Sequence, residues 1–183
     1  KRAVPVSRAS ADNQQIYDEN WPQWLDMKRH GPSSRWLRAL IGDLLEGPLR
    51  DAEIKRVLDF GCGEGTTTEF LANALPAASV VGIDQSGSGI DCARSHYRAA
   101  NLEFRHQPGD ASFGEASFDL VTCFEVLEHV EDWQALANRL AHATSRYLLV
   151  SFPTGRMRDF EVNIGHLRNF RPGDFEAFME RIG

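Results

Sequence analysis

A buried strand that runs directly into a glycine-rich turn is the feature that most constrains the fold of this chain. The apolar run Val57-Leu58-Asp59-Phe60 is followed by Gly61-Cys62-Gly63-Glu64-Gly65, and a stretch of helical character begins near Thr67. Glycines at such a turn let the backbone bend tightly and approach a ligand closely, because they carry no Cβ. The pattern predicts a strand-turn-helix unit with a ligand bound over the turn.

Strands and helices alternate along most of the remaining chain. Near-continuous apolar strands separated by helices indicate a parallel sheet covered on both faces. The sequence therefore predicts an α/β, doubly wound, mostly parallel sheet of at least five strands. The predicted strands are Arg56–Phe60, Ser79–Asp84, Leu102–Gln107, Phe118–Phe124 and Arg146–Phe152. The predicted helices that follow the glycine turn are Thr67–Leu75, Gly89–Ala100, Asp132–Ala143 and Pro172–Ile182.

The region before the first strand has a different character. Residues 11–47 show helical spacing in two pieces, which are separated around His30-Gly31-Pro32. We therefore expect an N-terminal helical cap over residues 1–50 and an α/β domain over residues 51–183. The link from Gln107 to Phe118 is too short for a crossover helix and is expected to be a loop. Because doubly wound sheets often have one or two more strands, we also expect the protein to continue beyond Gly183.

Charge and cysteine usage exclude several classes of function. The chain has 20 Lys and Arg against 26 Asp and Glu, and so lacks the basic footprint expected of a nucleic-acid binder. It also lacks the roughly 18 consecutive apolar residues that a membrane span requires. The 3 cysteines show no CxxC spacing, which favours reduced thiols in the cytoplasm over a disulfide framework or thiolate zinc site.

Acidic residues lie at the ends of three successive predicted strands: Asp59, Asp84 and Asp110. Such strand ends line the ligand crevice of an open α/β sheet. Asp84 is suited to the two hydroxyls of a ribose, and Asp110 to the exocyclic amine of an adenine. Asp59 would repel a diphosphate but suits an ammonium group. Thr66 stands where a dinucleotide-binding GxGxxG turn would have its third glycine, which disfavours nicotinamide binding.

These motifs resemble those of a known family in both order and spacing. Asp59–Gly65, Gly82-Ile83-Asp84, Gly109-Asp110 and Phe118-Asp119-Leu120-Val121 are similar to the successive motifs of Rossmann-like (class I) S-adenosylmethionine-dependent methyltransferases. The similarity covers about residues 54–155. Two further stretches, 122–130 and 166–170, resemble the small-molecule branch that includes the ubiquinone-biosynthesis O-methyltransferases.

The resemblance implies in-line methyl transfer from S-adenosylmethionine to a small-molecule acceptor, with S-adenosylhomocysteine as product. It also implies that the glycine turn holds the methionine moiety, Asp84 the ribose, and Asp110 with Ala111 the adenine. The full set of expected cofactor-binding residues is Asp59, Phe60, Gly61, Cys62, Gly63, Asp84, Gln85, Ser86, Asp110, Ala111, Phe124 and Glu125. His129 and His166 are the candidate catalytic residues, because an imidazole can accept the proton of a hydroxyl acceptor near neutral pH.

Several alternatives stay open at this point. Glu125, Glu128, His129 and His166 could ligate a divalent metal, although the favoured interpretation has no metal. A nicotinamide-dependent oxidoreductase is disfavoured by the glycine spacing, and a noncatalytic partner subunit by the intact cofactor motifs. The sequence does not distinguish an oxygen, nitrogen or carbon acceptor, and it leaves the oligomeric state open.

Overall fold

Five parallel strands with helices packed against them form the protein in the computed structural model, which describes residues 17–18, 20–21, 23–110 and 113–182. The strands are β1 (Arg56–Phe60), β2 (Ser79–Asp84), β3 (Leu102–His106), β4 (Phe118–Phe124) and β5 (Thr144–Ser151). The α-helices from Pro32 onward are α1 (Pro32–Glu46), α2 (Thr66–Ala74), α3 (Gly87–His96), α4 (Trp133–Ala143), α5 (Asp159–Asn163) and α6 (Asp174–Ile182). The predicted α/β class with a parallel, doubly wound sheet is confirmed.

The sheet order β3-β2-β1-β4-β5 places the first strand at the centre. The chain winds outward from β1 to β3 on one side and then returns to build β4 and β5 on the other. Ligands of open α/β sheets bind at such a reversal, outside the carboxyl ends of the strands. Phe60 lies level with Ile83 of β2 and with Cys123 of β4, so these three strands end at the same edge of the sheet.

The two faces of the sheet are covered by different helices, because successive strand residues point to opposite sides. On one face Leu58 belongs to a buried cluster that includes Leu140 of α4 and Phe178 of α6. On the other face Val57 packs in a cluster with Ile41 of α1 and with residues of α2. The helix α1 lies within the predicted N-terminal cap, and it contributes to the core of the sheet.

The element bounds differ from the sequence expectations in ways that local chemistry explains. Helix α3 begins at Gly87 rather than Gly89, because the Ser86 hydroxyl caps it by accepting a hydrogen bond from the Gly89 N–H at 3.0 Å. Strand β5 begins at Thr144, two residues before the predicted start. Helix α5 and a 3₁₀ turn over Leu127–His129 were not predicted, because such short elements show no periodicity.

The described residues contain neither a crossover helix between β3 and β4 nor a helix that could span a membrane. The link between β3 and β4 contains no helix over residues 107–110 and 113–117, as the sequence predicts. Within the described ranges, every helix is too short or too polar to cross a bilayer.

One partly buried polar contact joins the start of edge strand β3 to helix α2 and to the residues that lead into β2, and it provides a test of the fold. The Asn101 side-chain amide donates to the carbonyl oxygens of Ala72, Leu75 and Ala78 at 3.0, 3.3 and 3.0 Å. We expect Asn101→Ala to lower the free energy of unfolding by about 1–3 kcal/mol, because these carbonyl groups lose their partner. Urea-induced unfolding measures the change. The matched variant Gln134→Ala, on the exposed side of α4, should stay within about 0.5 kcal/mol of the parent.

Candidate functional site

A cleft of about 1090 Å³ opens where β1, β2 and β4 end. This volume is at the upper end of the range for small-molecule and cofactor sites. Residues from all three strand ends and from the chain before α1 line it. They are Tyr17, Trp21, Phe60, Gly61, Ile83–Ser86, His106–Asp110, Glu125, Val126, His129–Asp132, Ala135, Leu136 and Arg139.

The predicted glycine turn reaches this cleft through Gly61. Gly61 and Gly63 have φ angles of 74° and 53°, a left-handed conformation that L side chains rarely adopt. A Cβ at Gly61 would lie 2.3 Å from the Val126 side chain, and one at Gly63 would lie 2.5 Å from the Trp21 ring. The turn therefore requires glycine both for its backbone conformation and for the close approach of its neighbours.

Asp84 fixes the turn to the end of β2. Its Oδ2 accepts a hydrogen bond from the Gly63 N–H at 2.8 Å, and its Oδ1 accepts one from the Ser86 N–H at 2.7 Å. Burial raises the pKa of the Asp84 carboxyl, and the two backbone donors oppose that shift. A carboxylate offers about four lone-pair positions, so Asp84 can accept further hydrogen bonds from a ligand in the cleft.

Asp59 occupies a different environment from the one suggested by its place in the motif. Its carboxylate is buried beneath the turn, where it accepts hydrogen bonds from the hydroxyls of Thr68 at 2.6 Å and Thr122 at 2.7 Å. Burial raises the pKa of Asp59 to about 6. Asp59 does not line the cleft. Its direct contact with an ammonium group stays a prediction.

The other predicted cofactor-binding residues divide into two groups. Phe60, Gly61, Gln85, Ser86, Asp110 and Glu125 line the cleft together with Asp84. Cys62, Gly63 and Phe124 do not, and Ala111 lies outside the described residues. Burial holds the pKa of the Cys62 thiol well above its ordinary value, so this thiol lacks the thiolate character of a nucleophile.

Residues before α1 close the cleft from above. The Trp21 indole N–H donates to the Ser86 hydroxyl oxygen at 2.9 Å, and the ring packs against Gly63. The Asp18 carboxylate accepts hydrogen bonds from the Ser86 and Ser88 hydroxyls. Sequence analysis missed Asp18, because a single acid in a helical stretch carries no distinguishing signal.

His129 lines the cleft and is held on both ring nitrogens. Its Nδ1 lies 3.0 Å from the Gly165 carbonyl oxygen and donates to it, so Nε2 carries the lone pair. The Tyr17 hydroxyl lies 2.8 Å from that Nε2 and donates to it. Burial lowers the pKa of His129 to about 4, which keeps the imidazole neutral at physiological pH.

Glu128 and His166 complete a cluster with His129. The Nε2 atoms of His129 and His166 lie 3.9 and 4.0 Å from the Glu128 Oε1. Glu128 is fully buried, and within the described part of the chain neither of its carboxylate oxygens has a hydrogen-bond partner. One ligand atom from each residue lies within 4.8 Å of the others, so these side chains can hold a metal ion. Glu125 is exposed and instead accepts a hydrogen bond from the Ser151 hydroxyl at 2.8 Å.

Three cleft-lining charged residues were not predicted: Glu131, Asp132 and Arg139. Glu131 and Asp132 follow β4 at the same edge of the sheet at which Asp110 follows β3. The rule that acids after a strand end face the crevice could therefore have found them. Arg139 lies one turn inside α4 from Ala135, and no sequence signal separates it from an ordinary surface arginine.

Comparison with known sequences finds the methyltransferase domain family over residues 57–146. A ubiquinone biosynthesis O-methyltransferase from Coxiella burnetii is 40% identical over 90 residues, which cover 48% of this chain and 38% of the relative. Its mitochondrial namesake from Schizosaccharomyces pombe is 40% identical over 82 residues, which cover 42% of this chain and 29% of that protein. The chain thus spans less than half the length of these curated relatives.

Solved structures with the same fold extend the similarity over nearly the whole chain. Magnesium protoporphyrin IX methyltransferase from Synechocystis PCC 6803, crystallised with S-adenosylhomocysteine, matches with a TM-score of 0.71 at 19% identity, over 94% of this chain and 89% of that one. A Haemonchus contortus phosphoethanolamine N-methyltransferase matches with a TM-score of 0.70 at 18% identity, over 97% of this chain and 43% of that one. At these identities the structural similarity establishes the fold.

The buried carboxyl of Asp59 predicts a specific dependence of stability on pH. Its pKa of about 6 in the folded state lies above its ordinary value of 3.8, so folding takes up a proton between these values. Stability should therefore fall as the pH rises from about 4 to 6 and stay level above that. In the Asp59→Asn variant, the pH-dependent contribution of this carboxyl group to stability disappears. Relative to that variant, the parent should lose up to about 3 kcal/mol of its free energy of unfolding as the pH rises from about 4 to 6.

Urea-induced unfolding of both proteins between pH 4 and 7 measures this difference. Asp51→Asn is the matched control, because Asp51 is an exposed aspartate in the turn before β1. Its stability relative to the parent should not change with pH. If the free energies of unfolding of the parent and Asp59→Asn change with pH in the same way, Asp59 is already ionised across this range and the prediction is wrong.

Proposed function

We propose that this chain, which matches the methyltransferase domain family over residues 57–146, is a class I, Rossmann-like S-adenosylmethionine-dependent methyltransferase that transfers a methyl group to a small-molecule acceptor. The observation that carries the proposal is the cleft at the reversal of the sheet, where the glycine turn and two acids from successive strand ends face one space. Asp84 and Asp110 both line this cleft. The relatives' names and the bound product in the Synechocystis enzyme support the same cofactor here.

The residues of the cleft suit each part of that cofactor. Gly61 lines the cleft without a side chain, so its backbone can lie beside the methionine moiety. Asp84 has lone pairs left for the ribose hydroxyls, while its bonds to the Gly63 and Ser86 N–H groups hold it in place. Asp110 stands beyond β3, where it can accept a hydrogen bond from the adenine amine. Asp59 would act indirectly, by supporting the turn from beneath.

The protein contributes alignment and a dry environment to the reaction. When bound, S-adenosylmethionine supplies a methyl group on a sulfonium centre, which is already a good leaving group. Holding the acceptor in line with that group is worth several kcal/mol of the barrier. Tyr17 and Trp21 line the cleft from the N-terminal side and exclude water from it. We accordingly propose that residues 1–50 act as a cap over the domain formed by residues 51–183.

The acceptor lies, in this proposal, at the end of the cleft formed by Tyr17 and His129. His129 and His166 are retained as the candidate catalytic residues, because each ring is oriented with its lone pair on Nε2; of the two, His129 lines the cleft. The O-methyltransferase names of the curated relatives favour an oxygen acceptor. The fold neighbours act on different acceptors, as their names state, so the fold does not select one.

A cytoplasmic location is part of the same proposal. Cys62, Cys92 and Cys123 are all free and buried, which suits a reducing compartment. The negative net charge of −6 supports a small-molecule acceptor over a nucleic acid.

Binding of S-adenosylhomocysteine to an Asp84 variant tests the proposed site. We expect Asp84→Ala to weaken binding at least tenfold, because hydrogen bonds to a charged group are worth about 1.5–3 kcal/mol. Isothermal titration of the purified chain measures the dissociation constant. Asp91→Ala is the matched control, because Asp91 is exposed on α3 outside the cleft, and its affinity should equal that of the parent.

Thermal stability with and without ligands separates the remaining alternatives. S-adenosylhomocysteine should raise the melting temperature in a concentration-dependent way, and NAD(P) should not. Stabilisation by NAD(P) alone would instead identify an oxidoreductase. No stabilisation by either ligand, together with no measurable heat of binding, would favour a noncatalytic partner subunit.

A further inference from the structure

We propose that Glu128, His129 and His166 form a binding site for one divalent transition-metal ion at the acceptor end of the cleft. The site rests on side-chain geometry alone. The role given to the ion below rests on the proposed function. The proposal departs from the sequence interpretation that favoured no metal, and it leaves out Glu125, whose carboxylate is bound to Ser151.

The Glu128 carboxyl group is the first reason. Its side chain has 0% exposure, and both oxygens lack a hydrogen-bond partner within the described ranges. Burying a carboxyl group without any partner costs several kcal/mol, whether the group is ionised or protonated. A bound cation would supply the missing partner. No other buried side-chain oxygen or nitrogen in the described residues is left in this condition.

The orientation of the two imidazoles is the second reason. His129 donates through Nδ1 to the Gly165 carbonyl oxygen at 3.0 Å, and the His166 Nδ1 lies 3.4 Å from the Asn169 Oδ1. Both rings therefore carry their lone pair on Nε2. These Nε2 atoms are the ones that lie 3.9 and 4.0 Å from the Glu128 Oε1. Metal-binding histidines are oriented in this way, with the second nitrogen donating to a backbone or side-chain oxygen.

A chain of hydrogen bonds holds Asn169 in the required orientation. Its Nδ2 donates to the Glu161 carboxylate at 3.1 Å, so Oδ1 is the atom that faces His166. Glu161 is in turn fixed by Arg158, whose guanidinium and backbone N–H each donate to it at 2.6 Å. The support for His166 thus extends through three further side chains, none of which contacts the cleft.

The spacing of the cluster suits an ion of this class. Zinc and similar ions bind nitrogen and oxygen at about 2.0–2.2 Å, so two ligands of one ion lie about 3.4 Å apart at a tetrahedral angle and at most about 4.4 Å apart. The separations of 3.9 and 4.0 Å fall just inside that limit, and loading would draw the side chains inwards. Two imidazoles with one carboxylate favour a first-row transition metal over magnesium or calcium.

The open coordination positions would face the acceptor. Tyr17 and His129 both line the cleft, and the Tyr17 hydroxyl now occupies the His129 lone pair at 2.8 Å. Loading the ion requires Tyr17 to release this hydrogen bond. If the proposed function holds, a hydroxyl of the acceptor that binds to the ion loses its proton to solvent more readily, because the positive charge lowers the pKa of the hydroxyl.

Metal titration of the full chain tests the site. The protein is treated with EDTA, dialysed, and titrated calorimetrically with ZnCl₂, CoCl₂ and MgCl₂. We expect one equivalent of zinc and cobalt to bind, and magnesium to bind much more weakly. Glu128→Gln and His166→Gln should each weaken binding at least tenfold. Asn169→Ala should weaken it about 10- to 100-fold, because that is the usual effect of removing a partner of a ligating histidine.

Matched variants control for unspecific binding and for misfolding. Glu176→Gln and His142→Gln replace the same residue types at exposed positions of α6 and α4, and they should bind metal as the parent does. Glu128→Gln should unfold at the same or a higher urea concentration without metal, because it removes a buried unpartnered carboxyl group. Equal metal affinity in the parent, Glu128→Gln and His166→Gln would overturn the proposal, as would the absence of stoichiometric binding.

Titration with S-adenosylhomocysteine separates this proposal from the proposed function. The metal-free parent and Glu128→Gln should both bind it, because neither Glu128 nor His166 lines the cleft. Cofactor binding without metal binding would overturn the metal site alone. Metal binding without cofactor affinity would support the site and refute the methyltransferase proposal.

Discussion

The hydrogen bonds from the Gly63 and Ser86 backbone N–H groups to the Asp84 carboxylate are the contact on which the cleft depends. They join the turn after β1 to the turn after β2. The Gly61 and Cys62 N–H groups add bonds to the Ile83 carbonyl oxygen at 2.9 and 3.0 Å. One acid therefore both shapes the wall of the cleft and faces its interior, so losing it would disturb the geometry and the binding together.

Local sequence patterns were enough to predict the fold and much of the cofactor-binding half of the site. Apolar runs and helical spacing are properties of neighbouring residues, and the parallel sheet places every strand end at one edge, so Asp84 and Asp110 could be assigned to the cleft from sequence. The same logic could not separate Asp84 from Asp59, because both are acids near a strand end. What distinguishes them is the set of neighbours: Asp59 lies between the Thr68 and Thr122 hydroxyls, which come from an adjacent helix and strand.

The acceptor half depends on contacts between distant residues, which explains why sequence described it less well. The Glu128 backbone carbonyl accepts a hydrogen bond from the Leu167 N–H at 2.8 Å, and this contact brings His166 beside the Glu128 side chain. Glu125 seemed equivalent to Glu128 in the sequence. It adopts a φ of 57°, and its carboxylate binds Ser151, so the structure separates two acids that lie three positions apart. No periodic pattern in the sequence indicates such a reversal of the backbone at Glu125.

The segment before α1 links the two halves of the cleft. Trp21 binds Ser86 beside the glycine turn, Tyr17 binds His129, and the two rings stack with their centroids 5.4 Å apart. A movement that lifts Trp21 from the turn must therefore also move the Tyr17 hydroxyl away from His129. Because Tyr17 occupies the lone pair that the proposed metal ion would need, an opening of the proposed cap that moves both rings would also expose the imidazole. Access for the cofactor and readiness of the acceptor end are in this way coupled through two stacked aromatic rings.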